Sequence, residues 1–464
     1  MFDGFREECG VFGVWGSDSA AALTVLGLHA LQHRGQEAAG VVSGDGKSFR
    51  VEKYIGKVAD YFTSKHVIEK LPGQYAVGHV RYSTSGEKQH RNVQPIFSEY
   101  NFGGMAIAHN GNLTNAAALR SELIKNGAIF QSTMDTEIFT HLVATGKKTK
   151  VADRLIEAFR QVEGAYSVVA LTRKKLVGAR DPYGVRPLIL GRLGDAYVLA
   201  SESCALDIIG AKAVRDVEPG EMVIIDEKGV ESLHPFEKKP SRFCIFEYTY
   251  FARPDSDVEG RNVYSVRKAF GAELAREAKI DADVTVPLPD SGIPAALGYV
   301  EQSGLPLELG IIRNHYVGRT FIEPSDEVRH LGVKLKHNAN AHVVRGKRVV
   351  LVDDTLVRGT TSKKIVAMVR EAGATEVHLA IASPPTTHSC FYGVDTPDRR
   401  NLIAANHSTE EIAKIIGVDS LTFLSLDGLY RSLGEAGRNP KAPQFCDACF
   451  SGDYPIPIPA GESA

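Results

Sequence analysis

The sequence predicts two unlike domains in tandem, an α+β domain followed by an α/β domain built on a parallel sheet. Three observations carry that expectation. A chain of 464 residues exceeds what one hydrophobic core usually organises, since domains average roughly 150 residues. The halves differ in rhythm: strand-like and helix-like runs are irregularly mixed in the first, whereas in the second they alternate as crossover connections require. Between them, His234-Pro235-Phe236-Glu237-Lys238-Lys239-Pro240-Ser241 breaks all periodicity with two prolines and three charges, which suits a boundary near residue 240. In chain order, residues 76–80, 105–108, 166–171 and 222–225 are short, apolar and mostly β-branched, hence strands. Residues 116–125 and 151–161 carry helical periodicity. Beyond the boundary, residues 284–288, 309–313, 349–352 and 377–383 read as strands, and 295–302 and 362–372 as helices. The tail, with Pro455, Pro457 and Pro459, is expected to be extended.

Composition narrows the function classes. Hydrophobic residues make up 43% and charged residues 24%, the balance of a globular protein. With 54 basic and 56 acidic side chains the formal charge is -2, which gives no net attraction to nucleic-acid phosphates and disfavours a DNA or RNA partner. No apolar run approaches the ~18 residues that span a bilayer. The first ten residues lack the basic and apolar regions of a signal peptide, and a cytoplasmic location is expected. Six cysteines, at 9, 204, 244, 390, 446 and 449, are too few for a disulfide scaffold and point to metal ligation or catalysis.

The strongest single motif runs from Val349 through Asp353-Asp354-Thr355-Leu356-Val357-Arg358-Gly359-Thr360-Thr361. An apolar strand ends in two carboxylates, and a small hydroxyl-rich loop then opens a helix. Such a loop offers N–H groups, hydroxyls and the positive end of a helix dipole to a phosphate. The adjacent acids suit ribose hydroxyls and Mg²⁺. Together with Pro289-Asp290-Ser291-Gly292, the motif resembles type I phosphoribosyltransferases, which bind 5-phosphoribosyl 1-diphosphate. The resemblance implies a substrate site of Asp290, Ser291, Asp353, Asp354, Thr355, Arg358, Gly359, Thr360 and Thr361, with Ser291, Asp353 and Asp354 toward magnesium. It also implies a flexible loop from Tyr316 to Lys336.

Cys9 lies in Glu8-Cys9-Gly10-Val11-Phe12-Gly13. Four further segments follow: His33-Arg34-Gly35-Gln36-Glu37, Gly78-His79-Val80-Arg81-Tyr82-Ser83-Thr84, His109-Asn110-Gly111-Asn112 and Thr133-Met134-Asp135-Thr136-Glu137. These five motifs, in this order, resemble the glutaminase domain of N-terminal-nucleophile amidotransferases over about the first 230 residues, which implies an αββα sandwich. Amide hydrolysis needs a nucleophile, a base and oxyanion donors. If a propeptide of residues 1–8 is removed, the new α-amino group of Cys9, with a reference pKa near ~7.7 to 8.0, serves as the base. The Asn110 amide and Gly111 N–H would form the oxyanion hole. By resemblance Arg81 clamps the glutamine carboxylate and Asp135 receives its ammonium, with Arg34 and Tyr82 as specificity or gating residues. His79 and Thr84 are expected to be structural supports.

Four cysteines remain for a metal once Cys204 is taken as plain core. Cys446 and Cys449 form a CxxC pair, while Cys244 and Cys390 stand alone. On ligand count a structural zinc and an iron–sulfur cluster fit equally. The whole chain resembles the family of phosphoribosyl diphosphate-dependent glutamine amidotransferases, in the subgroup with a propeptide and a [4Fe-4S] cluster, and that resemblance favours the cluster. It implies glutamine-driven formation of 5-phosphoribosylamine, the first committed step of purine synthesis. It further implies domains at 9–240 and 241–435, a cluster-binding tail at 436–464, purine nucleotides as feedback inhibitors and a homotetramer. His315 and residues 337–341 depart from the family pattern around the flexible loop, which leaves feedback control open. A glutaminase making glucosamine 6-phosphate would need a sugar-isomerase half, against which the Asp353-Asp354 loop speaks. A catalytically dead regulator is disfavoured by Cys9, Arg81, Asn110 and Asp135 together.

Overall fold

A computed structural model describes residues 9–82, 89–314 and 337–458. The leader, Thr84, His315, the loop expected from Tyr316 to Lys336 and Pro459 lie outside the described residues.

Two antiparallel sheets stacked face to face make up the front half. One has seven strands, with Gly10–Trp15 at its centre between Ala196–Ala200 and Tyr75–Arg81. The other has six, with Gly103–Leu113 paired to Gly164–Thr172. Period-two alternation decides what each strand buries. Val11 and Trp15 join Ala106, Ala108, Val169 and Leu171 in the layer between the sheets, while Phe12 and Val14 turn outward to Leu28 of the helix Ala20–Ala30. On the opposite sheet, Met105 and Ile107 turn outward to Phe139 and Leu155 of the helices Thr136–Thr145 and Val151–Phe159. Both faces of both sheets are covered, which explains strands that are apolar throughout. The result is four layers, αββα.

In the back half, the strands Val284–Pro287, Arg348–Asp353, Glu376–Ile381 and Ser420–Phe423 pair in that order, all parallel. Alternate residues again face opposite ways. Val350 and Val352 pack on Phe270 and Leu274 of the helix Val263–Ala278, and Val349 and Leu351 pack on Ile365, Val366 and Val369 of the helix Thr360–Glu371. Helices therefore cover both faces, as a parallel sheet requires. One expectation is corrected here. The apolar run at 309–313 yields only the short strand Ile311–Arg313, which pairs antiparallel with His337–Ala339 outside the main sheet. Its neighbour Glu308 already bonds to Thr285, so the run sits at the sheet's flank.

At the junction the chain closes on itself. Phe243–Cys244, just past the sandwich, pairs in parallel with Phe445–Cys446 near the end, Cys244 opposite Cys446. The core around them takes Ala165 and Val185 from the front half as well as Phe445, Phe450 and Ile456 from the tail.

Candidate active site

Alternation along the strands brings the first site together. Val11 faces the layer between the sheets, and so therefore does Cys9, two residues earlier, which lies beside Arg81 because Gly10 pairs with Val80. Asn110 follows Ala106 and Ala108 on the facing strand. His79 Nε2, 3.1 Å from the carbonyl oxygen of His109, ties the two sheets at this end. Cys9, Arg81 and Asn110 are all buried. The Cys9 thiol donates to the Tyr82 carbonyl oxygen at 3.5 Å, and burial pushes its pKa up to about 11 although Arg81 and Arg34 pull the other way. Unaided, such a thiol is almost entirely protonated at neutral pH, so it needs a base in contact with it. Burial also pushes His79 down to about 3. It is neutral, and suits a support.

The Asn110 side chain is fully buried with neither its amide nitrogen nor its oxygen partnered among the described residues. Buried amides without partners are rare and mark places where a ligand completes the bonding. Gly111 holds a φ of +139°, and a Cβ there would lie 2.0 Å from the Ala165 carbonyl oxygen, so only glycine keeps the strand in place. Asp135 opens the helix Thr136–Thr145, and its Oδ2 accepts from Leu113 N–H at 3.0 Å. Burial works to raise its pKa, but His109, 3.6 Å from Oδ1, and that N–H outweigh it and hold it below the usual range. A buried carboxylate kept ionised is suited to an ammonium group.

The second site lies where ligands sit in open α/β sheets, beyond the carboxyl ends of the strands. Asp353 ends its strand, and Asp354 follows it with Oδ2 buried and without a partner among the described residues. Burial and the charge of Asp354 push Asp353 well above the usual carboxylate range; burial also raises Asp354, against hydrogen bonds from Ser291 and Thr355 and the charge of Arg267. Two crowded, desolvated carboxylates with an unused oxygen fit a hard divalent cation. Gly359, at φ +78°, caps the helix Thr360–Glu371, which sets Thr360 and Thr361 in its first turn. Arg358 Nε is buried nearby without a partner among the described residues. Asp290 pairs with Arg313.

Cys244, Cys390, Cys446 and Cys449 are free thiols lining one small cavity with Arg186, Tyr392 and Tyr454. Burial pushes the Cys446 and Cys449 thiols well up, and the neighbouring thiols push them further. Among the described residues no three His, Cys, Asp or Glu side chains form a set able to hold one metal ion. Four thiols lining one cavity are a donor set that iron–sulfur clusters and structural zinc both use. Cys204 is packed among Ala200, Ala205 and Leu206 in the outer core of the sandwich.

Sequence reasoning missed Glu202 and Glu247. Both side chains are fully buried, and both pair with Arg34. The only available signal was an acid inside Phe243-Cys244-Ile245-Phe246-Glu247-Tyr248, otherwise apolar and aromatic.

The fold and its paired sites define an amidotransferase of the fused type, with a glutamine amidotransferase domain matched at residues 79–207 and a phosphoribosyl transferase domain at 260–388. An amidophosphoribosyltransferase of Rhizobium etli is 57% identical over 98% of this chain and 92% of its own length. That of Bacillus subtilis is 49% identical over 98% and 95%. A solved B. subtilis glutamine phosphoribosylpyrophosphate amidotransferase complexed with ADP and GMP superposes with a TM-score of 0.93 at 47% identity, covering 98% of this chain and 99% of that one. The chain belongs to the amidophosphoribosyltransferase family.

Proposed function

We propose that this chain hydrolyses glutamine at Cys9 and passes the ammonia to 5-phosphoribosyl 1-diphosphate at the Asp353–Thr361 site, giving 5-phosphoribosylamine, pyrophosphate and glutamate, the first committed step of purine biosynthesis. The observation that carries the reading is the pairing, in one chain, of a buried cysteine and an unpartnered buried Asn110 with a carboxylate-ended parallel strand feeding a phosphate-type loop.

In the first half-reaction the Cys9 sulfur attacks the side-chain amide carbon. The Cys9 α-amino group, freed by loss of residues 1–8, takes the thiol proton and gives it to the departing ammonia; water then releases glutamate from the thioester. Asn110 and the Gly111 N–H bind the oxyanion, Arg81 the carboxylate and Asp135 the ammonium of glutamine, with Tyr82 lining the approach. In the second, the ammonia nitrogen bonds to ribose C1 as the C1–pyrophosphate bond breaks. Thr355, Arg358, Gly359, Thr360 and Thr361 hold the phosphoribosyl part, Asp290 and Ser291 the pyrophosphate, and Asp353 and Asp354 fix the ribose. Mg²⁺ on Ser291, Asp353 and Asp354 would neutralise pyrophosphate charge. A [4Fe-4S] cluster on Cys244, Cys390, Cys446 and Cys449 would clip the junction, the mid-chain and the tail. Purine nucleotides are proposed as feedback inhibitors and a homotetramer as the assembly, the former supported by the nucleotides bound to the B. subtilis relative. No helix among the described residues is long and apolar enough to cross a membrane, in keeping with a cytoplasmic site of action.

The test is phosphoribosylamine formation with each nitrogen source by wild type and Cys9→Ser, purified anaerobically. Oxygen is the weaker nucleophile at neutral pH, so the variant should lose the glutamine reaction and keep that with ammonium salts. Equal loss of both in a folded variant would overturn the two-site reading.

A further inference from the structure

Between the two sites lies a buried cluster of charge that the reaction above does not use. Arg34 Nε donates to the carbonyl oxygen of Cys9 at 3.2 Å. Its Nη1 reaches Glu202 at 2.6 Å and Glu247 at 2.9 Å, and its Nη2 reaches Glu247 at 2.7 Å. Glu247 also accepts from Arg186 Nη1 at 3.2 Å, and Glu202 accepts from the Arg253 N–H at 2.9 Å and Ser256 at 2.8 Å. None of the Arg34, Glu202, Glu247 or Arg186 side chains has exposed surface. Ion clusters taken out of water are often no more stable than apolar residues of the same volume. Stability is therefore a weak reason for this one, whereas the contact with Cys9 supplies a specific reason.

That contact has an uneven origin. Arg34 and Glu202 belong to the sandwich, but Glu247 begins the short helix Glu247–Phe251 beyond it, three residues past Cys244. Arg267 of the next helix holds this turn by donating to the carbonyls of Tyr248 at 2.7 Å and Ala252 at 2.8 Å. The oxyanion strand is braced from the same side: Asn112 Nδ2 donates to the Phe391 carbonyl at 2.9 Å, and Gly393 backs onto Gly111 so closely that a Cβ on it would stand 2.9 Å from the Gly111 Cα.

We propose that Glu247 is a positioning residue of the glutaminase centre, fixing Arg34 and through it the backbone of Cys9. The proposal rests on Cys9 as nucleophile. In that chemistry base and nucleophile are two substituents of one Cα, and the carbonyl is the third. Holding the carbonyl sets the direction of the other two, so a loosened Arg34 misaims thiol and amine together.

Glu247→Gln removes the charge but keeps the shape, and Arg34→Lys keeps the buried charge but loses the Nε donor to Cys9. Each should lower kcat for glutamine by on the order of tenfold to a hundredfold, the scale of a small misplacement of a reacting group, with KM little changed. Alkylation of Cys9 by an electrophilic glutamine analogue should slow by the same factor. The ammonium-dependent reaction serves as the control and should hold; the melting temperature should fall, because removing one partner leaves buried charge uncompensated, so both variants are assayed at a temperature where they are shown to be folded. Parallel loss of both activities, a rise in KM alone, or unchanged glutamine turnover in either folded variant would overturn the proposal. Cys9→Ser run alongside separates the two levels: if it retains glutamine turnover, the nucleophile assignment fails; if it loses turnover while Glu247→Gln and Arg34→Lys do not, only the positioning role fails.

Discussion

At the scale of single residues, chemistry and support are separable by what each side chain lacks. Asn110 has buried polar atoms awaiting a partner, so Asn110→Ala should leave folding intact and lower glutamine turnover by ~10² to 10³, the usual cost of one oxyanion donor. Steady-state kinetics with glutamine and with ammonium would measure it, and the ammonium reaction should be spared. Glu137 shows the opposite pattern. Its carboxylate accepts from Gln131 N–H at 2.7 Å and from Ser132 Oγ at 2.6 Å; burial works to raise its pKa, yet His141 and these bonds hold it down at about 2. A folded-state pKa below the unfolded value, near ~4.3, gives stability that is present above that value and lost as pH falls toward about 2. Glu137→Gln should therefore lower the melting temperature at neutral pH, and the gap to wild type should close through that acid window. A gap independent of pH would show that packing, not charge, is what the side chain supplies.

Elements carry the next layer, and here the sequence was readable in proportion to how local the causes were. The strands Gly103–Leu113 and Arg348–Asp353 and the helices Ala116–Lys125 and Thr360–Glu371 follow from apolar periodicity and glycine punctuation within a few residues. The strand Ser420–Phe423 does not: it is only four residues long and earns its place as the fourth strand of the parallel sheet through pairing that no local pattern announces. The stretch at 309–313 failed for the same reason, since its apolar run is real and its partner distant. The candidate site divides likewise. Cys9, Arg81, Asn110, Asp135 and the Asp353–Thr361 loop stand in motifs, whereas Glu202 and Glu247 matter only through contacts 168 and 213 residues away in the chain. A strand that ends in Asp353 makes a separate prediction. Asp353→Asn should weaken use of phosphoribosyl diphosphate equally with either nitrogen donor, because the proposed role of the carboxylate is toward the sugar; initial rates against that substrate would check it, and loss of the glutamine reaction alone would contradict the assignment.

Over the whole molecule, the order of the chain and the order of its contacts disagree. The tail returns to pair with residue 244, and four thiols from three regions face one cavity. Anaerobically purified protein should accordingly be brown and hold about four iron atoms per chain, as a [4Fe-4S] centre requires. Elemental analysis showing one zinc and no visible absorbance would reject the cluster while leaving its ligands in place. The packing of Gly393 on Gly111 has a further consequence, one of timing. The sandwich is fully synthesised once its last strand, Gly229–Leu233, has been made, but Glu247 and then Gly393 follow later. At roughly 5 to 20 residues per second, the bracing of the strand Gly103–Leu113 arrives some tens of seconds after the strand itself. During that interval a nascent chain carries the proposed nucleophile without the Gly393 contact, so glutamine hydrolysis is expected to begin only after the half that consumes the ammonia has been made.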